Sequence, residues 1–269
     1  MDGNLHGTHV AGTIAAATKN GKQVAGVAWQ TQLMALKFLS DGGWGSVADA
    51  VDAVAYCVAM EVPISNNSWG GGGYSQAMKD VIEQAGEKGH LFCAAAGNSA
   101  NDNDQRAFYP ASYDCQNILS VAASNNSDEL AYFSCYGKTT VDLAAPGVNI
   151  FNLSINGGTT SLSGTSMASP HVAGAAALLL GQNPSAGHQE IKNTLINTVD
   201  PIESFRGKMV AGGRLNLFNA VESFGPNWLS VTPERGTVEA GGKTELTFAI
   251  DASNLVAGTK KAIVAYRTN

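Results

Sequence analysis

Short apolar runs alternate with longer amphipathic stretches along most of the chain. In residues 47–60 apolar side chains recur at helical spacing, beginning with Val47, which predicts a helix with one buried face. Residues 75–88 repeat this pattern and end at Gly89, a residue typical of the position after a helix. Apolar runs typical of buried strands occupy residues 32–39, 90–96, 117–123 and 141–147. The alternation predicts an α/β fold with three layers, in which a mainly parallel sheet carries helices on both faces.

One predicted helix differs from the others because it is apolar all round. Residues 172–180 contain no charge and no polar face, so this helix is expected inside a large core. Pro170 is tolerated only if the helix begins near Ser166, where backbone N–H groups need no intrahelical partner. Ser166 is therefore expected at a helix N-terminus, which favours negative charge. A serine in that position is most often a structural cap.

Three motifs outweigh that structural interpretation. They are His6-Gly-Thr-His-Val-Ala-Gly, Ala95-Ala-Gly-Asn98 and Gly164-Thr-Ser-Met-Ala-Ser-Pro-His171. In this order they resemble the motifs of the subtilisin-like serine peptidases, and the resemblance covers about residues 1–223. It implies the subtilisin-like fold and the hydrolysis of peptide bonds in polypeptide substrates.

The resemblance implies a role for three residues. Ser166 is expected to be the nucleophile and His6 the general base, because a serine hydroxyl attacks only when a base takes its proton. Asn98 is expected to donate its side-chain amide to the oxyanion, together with the Ser166 backbone N–H. Ser163 and Ser169 flank Ser166, but by resemblance the family pattern places the nucleophile at Ser166. His9 stands three residues after His6, but no third ligand with zinc spacing is apparent.

A peptide-binding groove is also implied by resemblance. Its expected walls are two backbone edges that pair with an extended peptide, an apolar pocket and the strand end before Asn98. The residues concerned are Ser68, Trp69, Gly70, Gly43, Gly45, Val47, Ala50, Ala96 and Gly97. Ordinary core packing is the alternative for Trp69, Val47 and Ala50. Phe108 falls where relatives often carry a small residue at the base of the pocket for the cleaved residue, so a phenyl group there is expected to shrink the pocket.

The expected carboxylate partner of the histidine is the missing part of the pattern. In the family it lies on a strand well upstream of the histidine motif, whereas here only Asp2 precedes His6. By resemblance Asp2 matches a separate acidic position in the cleft. We therefore expect an N-terminally incomplete chain that is nearly inactive or poorly soluble when expressed alone. The alternative is an impaired pseudopeptidase that keeps only the peptide-binding groove.

Composition narrows the partners and the compartment. The net charge is −6 and no basic cluster occurs, which disfavours nucleic acid as a partner. No run of 18 or more apolar residues is present, so no membrane span is expected. The four cysteines lack metal-binding spacing; Cys57 and Cys93 are expected as buried thiols, and pairing of Cys115 with Cys135 stays open. The resemblance implies a secreted monomer that needs no cofactor for its chemistry. It also allows bound structural calcium, for which the sequence identifies no ligands.

The C-terminal region has a different pattern. Residues 227–269 alternate apolar and polar positions between turn residues, which predicts short strands near residues 229–231, 246–250 and 263–266. This region resembles part of an immunoglobulin-like repeat. The sequence thus predicts a peptidase domain over residues 1–223 and a small β-rich fragment over residues 227–269.

Overall fold

The computed structural model describes residues 2–22, 24–224, 229–233, 237–238 and 241–250 of the 269. The helices are α1 (His6–Ala15), α2 (Val47–Ala59), α3 (Gln76–Glu87), α4 (Thr165–Gln182), α5 (His188–Asn197) and α6 (Leu217–Ser223). The strands are β1 (Ile64–Asn67), β2 (Leu91–Ala95), β3 (Ile118–Ser124), β4 (Leu143–Pro146), β5 (Ile150–Leu153), β6 (Thr159–Leu162), β7 (Asp200–Pro201), β8 (Gly213–Arg214), β9 (Leu229–Thr232) and β10 (Thr247–Ile250).

The central sheet has six strands in the order β1-β2-β3-β4-β8-β7. The strands β1 to β4 pair in parallel, β4 also pairs in parallel with β8, and only β7 runs antiparallel to its neighbour. The carboxyl ends of β1 and β2 therefore point to one edge of the sheet. The predicted mainly parallel sheet is confirmed.

Alternate residues of the strands point into different core clusters on the two faces of the sheet. Leu91, Cys93 and Leu119 pack with α1, α4, α5 and α6 in a first cluster. Phe92, Ala94 and Ile118 pack with α2 and α3 in a second one. Since helices cover both faces, both sides of these strands are apolar. The predicted three-layer α/β architecture is confirmed.

Helix α4 passes through the first cluster, and its small residues permit close packing. It begins at Thr165, one residue before the predicted start, and carries Pro170 in its first turns. A Cβ at Gly174 would lie 2.8 Å from the Val27 Cβ, so the Val27 side chain approaches α4 as closely as glycine allows. Because α1 also packs on α4, the two motif-bearing helices lie side by side.

Residues 32–39 depart from the prediction of a buried strand. They form neither helix nor strand, and Leu33 and Met34 are exposed. No backbone–backbone hydrogen bond joins residues 32–39 to another described residue. An apolar run indicates that its side chains are expected to be buried, but a strand also needs a neighbouring backbone to pair with. Among the described strands β1 pairs only with β2, so residues 32–39 do not pair with it. The prediction was wrong for this reason.

The predicted apolar face of α2 is confirmed at Val51, Val54 and Val58, which lie in or against the second cluster, but not at Val47. Ala50, Val54 and Cys57 are buried, whereas Val47 is 43% exposed. Val47 is the first residue of the helix, where the valine spacing alone does not fix the direction of the side chain. The helix itself is confirmed over Val47–Ala59.

All four cysteines are buried free thiols. The predicted thiols Cys57 and Cys93 are confirmed, and the alternative pairing of Cys115 with Cys135 is wrong. Cys93 belongs to the first cluster and Cys115 to the second, while Cys135 lies in a third, smaller cluster beside Ala96. Burial raises the pKa of Cys93 to about 12 and that of Cys115 to about 11, so both stay protonated near neutrality.

In the C-terminal region, β9 and β10 form an antiparallel pair, with Phe248 opposite Val231 and Ile250 opposite Leu229. This agrees with two of the predicted strands. The third, near residues 263–266, lies outside the described residues.

A buried ion pair lies where β3 and β4 begin. The Lys192 Nζ lies 3.5 Å from the Asp142 Oδ1, with only 15% and 13% of the two side chains exposed. The other Asp142 oxygen accepts the Ser120 N–H at 2.7 Å. Burial raises the pKa of Asp142, while Lys192 and the Ser120 hydrogen bond oppose the rise.

We predict that Lys192→Met lowers the free energy of unfolding by about 3 kcal/mol at pH 7, since it leaves a buried carboxylate unpaired. The raised pKa means that ionised Asp142 costs stability, so the folded state gains as pH falls through that pKa toward 3.8. Urea unfolding should therefore show a smaller loss at acidic pH. Lys138→Met, in an exposed loop, is the control. An equal loss at both pH values, or for both variants, would contradict the ion-pair assignment.

Candidate active site

The N-terminus of α4 is joined to the chain that follows β1 by two reciprocal hydrogen bonds. Pro170 has no N–H, so it cannot occupy the carbonyl of Ser166 four residues earlier. The Ser68 hydroxyl donates to that carbonyl oxygen instead, at 2.8 Å. In return, the Ser166 hydroxyl donates to the Ser68 carbonyl at 3.3 Å. The proline thus leaves the Ser166 carbonyl free of a helical partner, and the hydrogen bond to this carbonyl fixes Ser68 beside Ser166.

Asn98 caps α4 from a distant part of the chain. The N-cap residue of α4 is Gly164, which has no side chain to accept the first helical N–H groups. The Asn98 Oδ1 accepts from the Thr165 backbone N–H at 2.8 Å and from the Thr165 hydroxyl at 3.0 Å. Since both donors meet Oδ1, the orientation of the amide is fixed. No described residue accepts a hydrogen bond from Nδ2.

Two nitrogens that can donate hydrogen bonds lie beside Gly164. A Cβ built on this glycine would lie 3.5 Å from the Asn98 Nδ2 and 3.7 Å from the Ser166 backbone N. The Thr165 hydroxyl also accepts the Gly97 N–H at 3.1 Å, which ties the end of β2 to α4. The arrangement can bind an oxyanion formed at Ser166. The sequence analysis did not predict a role for Thr165 in holding Asn98 and Gly97, although Thr165 stands next to Ser166 in the Gly-Thr-Ser motif.

His6 is the first residue of α1 and is half-buried. Burial lowers its pKa below the usual 6.5; His9 lowers it further, and Asp2 opposes the change. The imidazole is therefore neutral near pH 7, the state in which it can accept a proton. Within the described residues no hydrogen bond reaches the His6 ring, and the Ser166 hydroxyl contacts Ser68 instead.

Asp2 caps the start of α1. Its Oδ1 accepts from the backbone N–H groups of Asn4 and Leu5, and its Oδ2 accepts from the backbone N–H and the hydroxyl of Thr8. Burial opposes ionisation, but these hydrogen bonds lower the pKa of Asp2 overall. Both oxygens serve the helix start rather than the His6 ring.

The rival residues have other contacts. The Ser163 hydroxyl accepts the Asn149 N–H at 2.9 Å, and the Ser169 hydroxyl donates to Asn66 at 2.9 Å. His9 is fully buried, with its Nε2 2.9 Å from the Ile150 carbonyl. The ring of His171 bonds the Met167 carbonyl at 2.9 Å, as expected of a core histidine.

The predicted groove residues differ in their exposure, and some of them pack in the core. Gly43 and Gly45 are exposed and precede α2. Trp69 packs edge-on against Phe38 and Phe92, with ring centroids 5.0 Å and 6.5 Å away. Ala50 is 1% exposed within the second cluster. Trp69 and Ala50 thus have the contacts of packed core residues.

The ring of Phe108 lies between two glycines of the predicted pocket. A Cβ on Gly70 would lie 2.4 Å from its Cε1, and a Cβ on Gly97 would lie 3.0 Å from its Cγ. The ring packs against the second cluster, and the Phe108 N–H is held by the Ser112 hydroxyl at 3.0 Å. Phe108 therefore fills the space between the segment after β1 and the segment after β2.

Comparison with known proteins identifies the class. Residues 1–230 match the Subtilase family of peptidases. The chain is 41% identical over 221 residues to a thermophilic serine proteinase of Bacillus sp. (strain AK1), covering 82% of this chain and 53% of the relative. It is 38% identical over 222 residues to thermitase of Thermoactinomyces vulgaris, covering 82% and 76%.

A solved structure of a protease from Pseudoalteromonas arctica PAMC 21717 is similar in fold. Its TM-score is 0.74 at 30% identity, covering 81% of this chain and 70% of that one. The chain therefore belongs to the subtilase family and has its subtilisin-like fold. It spans about half the length of the Bacillus sp. proteinase and about three quarters of thermitase.

We predict that Gly70→Ala lowers the free energy of unfolding by about 1–3 kcal/mol, because the new Cβ would overlap the Phe108 ring. Gly73→Ala is the matched control, since a Cβ there meets nothing within 4 Å and its φ is not positive. Combining Gly70→Ala with Phe108→Ala should cost less than the sum of the single changes. Strict additivity in denaturant unfolding would show that the ring does not lie against Gly70.

Proposed function

We propose that the chain is a serine endopeptidase that hydrolyses polypeptides through an acyl-enzyme, with Ser166 as nucleophile and His6 as general base. The observation that carries this proposal is the convergence of the Asn98 Nδ2 and the Ser166 N–H beside Gly164. Two preorganised donors next to a serine at a helix N-terminus stabilise the negative charge of a tetrahedral intermediate. A purely structural serine has no need of them.

The proposed steps are those of acyl transfer by a serine nucleophile with a histidine base. His6, neutral at pH 7, takes the Ser166 proton as Oγ attacks the carbonyl carbon of the peptide. The carbonyl oxygen becomes an oxyanion and receives hydrogen bonds from Asn98 and the Ser166 N–H. The imidazolium then gives its proton to the leaving amine, and water repeats the sequence to release the acid. Rotation of the Ser166 hydroxyl from Ser68 toward His6 is required before the first step.

A second candidate function is a peptide-binding groove without turnover. It is favoured by the absence of a hydrogen bond to the His6 ring from any described residue. In both cases a peptide is expected to run along Ser68, Trp69 and Gly70, with Gly43 and Gly45 opposite, as a strand added to an exposed edge. The roles of Val47, Ala50, Ala96 and Gly97 in this groove stay predictions.

Some finer predictions also stay proposals. They are the boundary between residues 223 and 227, the immunoglobulin-like character of residues 227–269, secretion, the monomeric state and structural calcium. Among the described residues, no three His, Cys, Asp or Glu side chains form a group that could hold a metal ion. In the same part of the chain, no helix is both long and apolar enough to cross a membrane.

We expect a fluorophosphonate probe to label Ser166 in the full-length protein, and Ser166→Ala to abolish the labelling. The labelling rate should fall only as pH drops below the lowered pKa of His6, so the midpoint is expected below 6.5. Peptide mapping by mass spectrometry locates the label.

Ser163→Ala and Ser169→Ala are the matched controls, because they remove hydroxyls from the same segment. Labelling that survives Ser166→Ala would remove Ser166 as the nucleophile. Peptide binding with no labelling of any serine would support the second candidate function.

We expect the chain to prefer glycine or alanine at the residue whose carbonyl is attacked, because Phe108 fills the pocket between Gly70 and Gly97. Phe108→Gly should raise kcat/KM for substrates with phenylalanine or leucine there by about 10-fold or more, since the deleted ring opens space for an apolar side chain. Matched p-nitroanilide substrates measure the change. Phe151→Ala, at an exposed position of β5, is the control. An unchanged preference in folded Phe108→Gly would show that the ring does not set the pocket.

A further inference from the structure

Three polar side chains lie on the face of β1 and β2 that the helices α2 and α3 cover. Ser65 and Asn67 alternate along β1, and their parallel partners on β2, Phe92 and Ala94, belong to the second core cluster. His90 immediately precedes β2 and is only 2% exposed. Polar side chains in such an apolar layer cost free energy unless their hydrogen bonds are made. The partners of these three residues must therefore account for their presence there.

The contacts of His90 fix which of its ring nitrogens carries the proton. Its Nδ1 lies 2.6 Å from the Val62 carbonyl, an oxygen that can only accept, so Nδ1 donates. Burial lowers the pKa of His90 and the nearby His188 lowers it further, while the hydrogen bond to Val62 opposes the change, so the ring is neutral near pH 7. The other nitrogen, Nε2, is then an acceptor, and the Ser65 hydroxyl donates to it at 2.7 Å.

The Ser65 oxygen transmits this direction to Asn67. Because the Ser65 proton is engaged with His90, its oxygen accepts, and the Asn67 Nδ2 donates to it at 2.8 Å. The same Nδ2 also donates to the Cys93 carbonyl at 3.3 Å. The Asn67 Oδ1 accepts the indole N–H of Trp69 at 3.2 Å. Since an indole N–H can only donate and a carbonyl can only accept, one orientation of the Asn67 amide satisfies all these contacts.

These four side chains, which we call the His90 relay, end beside the candidate active site. The relay runs from His90 through Ser65 and Asn67 to Trp69. Trp69 is half-buried, and its ring also packs edge-on against two phenylalanines. It directly follows Ser68, whose hydroxyl holds the first turn of α4. The exposed part of the indole, at a predicted groove residue, is therefore held in one orientation.

We propose that His90 is a positioning residue, which acts through Ser65 and Asn67 to hold the Trp69 indole in the orientation that a bound peptide contacts. This inference rests on the proposed function, in which a peptide runs along residues 68–70. His90 lies at the start of β2, at the opposite end of the relay, and would not itself contact the peptide. A hydrogen bond of ordinary net strength corresponds to about 2- to 10-fold in an equilibrium constant, which is the loss of affinity expected when the relay is interrupted.

Two amide substitutions separate the relay from the packing of the ring. His90→Gln places a carbonyl oxygen where the Ser65 hydroxyl can still donate. His90→Asn has a shorter side chain, whose amide can reach the Val62 carbonyl but not Ser65. Both are made in the full chain with Ser166→Ala, so that peptides bind without being cleaved. We expect His90→Asn to move the Trp69 indole N–H signal upfield in a nitrogen–proton correlation spectrum and His90→Gln to leave it in place, with Trp69→Phe identifying the signal.

The same variants are titrated with two fluorescent peptides. Both peptides carry alanine at the position whose carbonyl would be attacked, and they differ only in the residues before it, Leu-Leu-Leu or Gly-Gly-Gly. We expect His90→Asn to weaken binding of the leucine peptide about 2- to 10-fold and to leave the glycine peptide unchanged, while His90→Gln preserves both affinities. Asn117→Ala is the matched control, because it removes hydrogen bonds to the carbonyls of His90 and Ile82 without removing a member of the relay.

The outcomes separate the inference from the proposed function. If His90→Asn does not fold, Ser65→Ala replaces it, because it interrupts the relay at its middle and should give the same shift and loss. An indole signal that stays in place, that moves equally in both amide variants, or that moves without any change in peptide affinity would overturn the role of His90. A leucine preference that depends on the relay, in a chain whose Ser166 form hydrolyses neither peptide, would support His90 and contradict the peptidase proposal. Failure of the Ser166→Ala parent to bind either peptide would overturn both.

Discussion

The site depends on how the first turn of α4 satisfies its backbone N–H groups. Every helix begins with N–H groups that have no partner within the helix, and here the N-cap is a glycine with no side chain to offer. Asn98 provides the missing acceptor from the end of β2. Because its carbonyl oxygen is held by Thr165, the amide nitrogen does not take that contact, and it lies near Gly164 as the Ser166 N does. One hydrogen bond thus stabilises the helix and also aims a donor at the expected reaction centre.

Pro170 also shapes the start of α4 near the expected nucleophile. A proline in the first turns removes one intrahelical hydrogen bond, and the freed Ser166 carbonyl is taken by the Ser68 hydroxyl. The segment after β1 is thereby held against the start of the helix. Loss of the Ser68 hydroxyl would leave the Ser166 carbonyl without this partner and would loosen the contact between the two segments.

Many of the helices and strands could be predicted from the sequence, because local structure depends on residues that are close together in the chain. The absence of charge over residues 172–180 and the place of Pro170 located the start of α4 to within one residue. Helix α3 and its terminal Gly89, with φ of +84°, followed from spacing and from glycine's tolerance of that conformation. The contact of Asn98 with Thr165 spans 67 positions, and no local pattern encodes it. The strand predicted over residues 32–39 failed for a related reason, since pairing depends on a second backbone.

The buried thiols have a use as internal probes. Cys93, Cys115 and Cys135 each lie in a different core cluster, two of them between the sheet and its helical layers and one beside the strand end that leads to Asn98. A thiol reagent reaches such a group only when its surroundings open. Separate rates of modification at these three positions therefore report how independently the layers of the molecule open, and whether the region beneath the site opens before the rest.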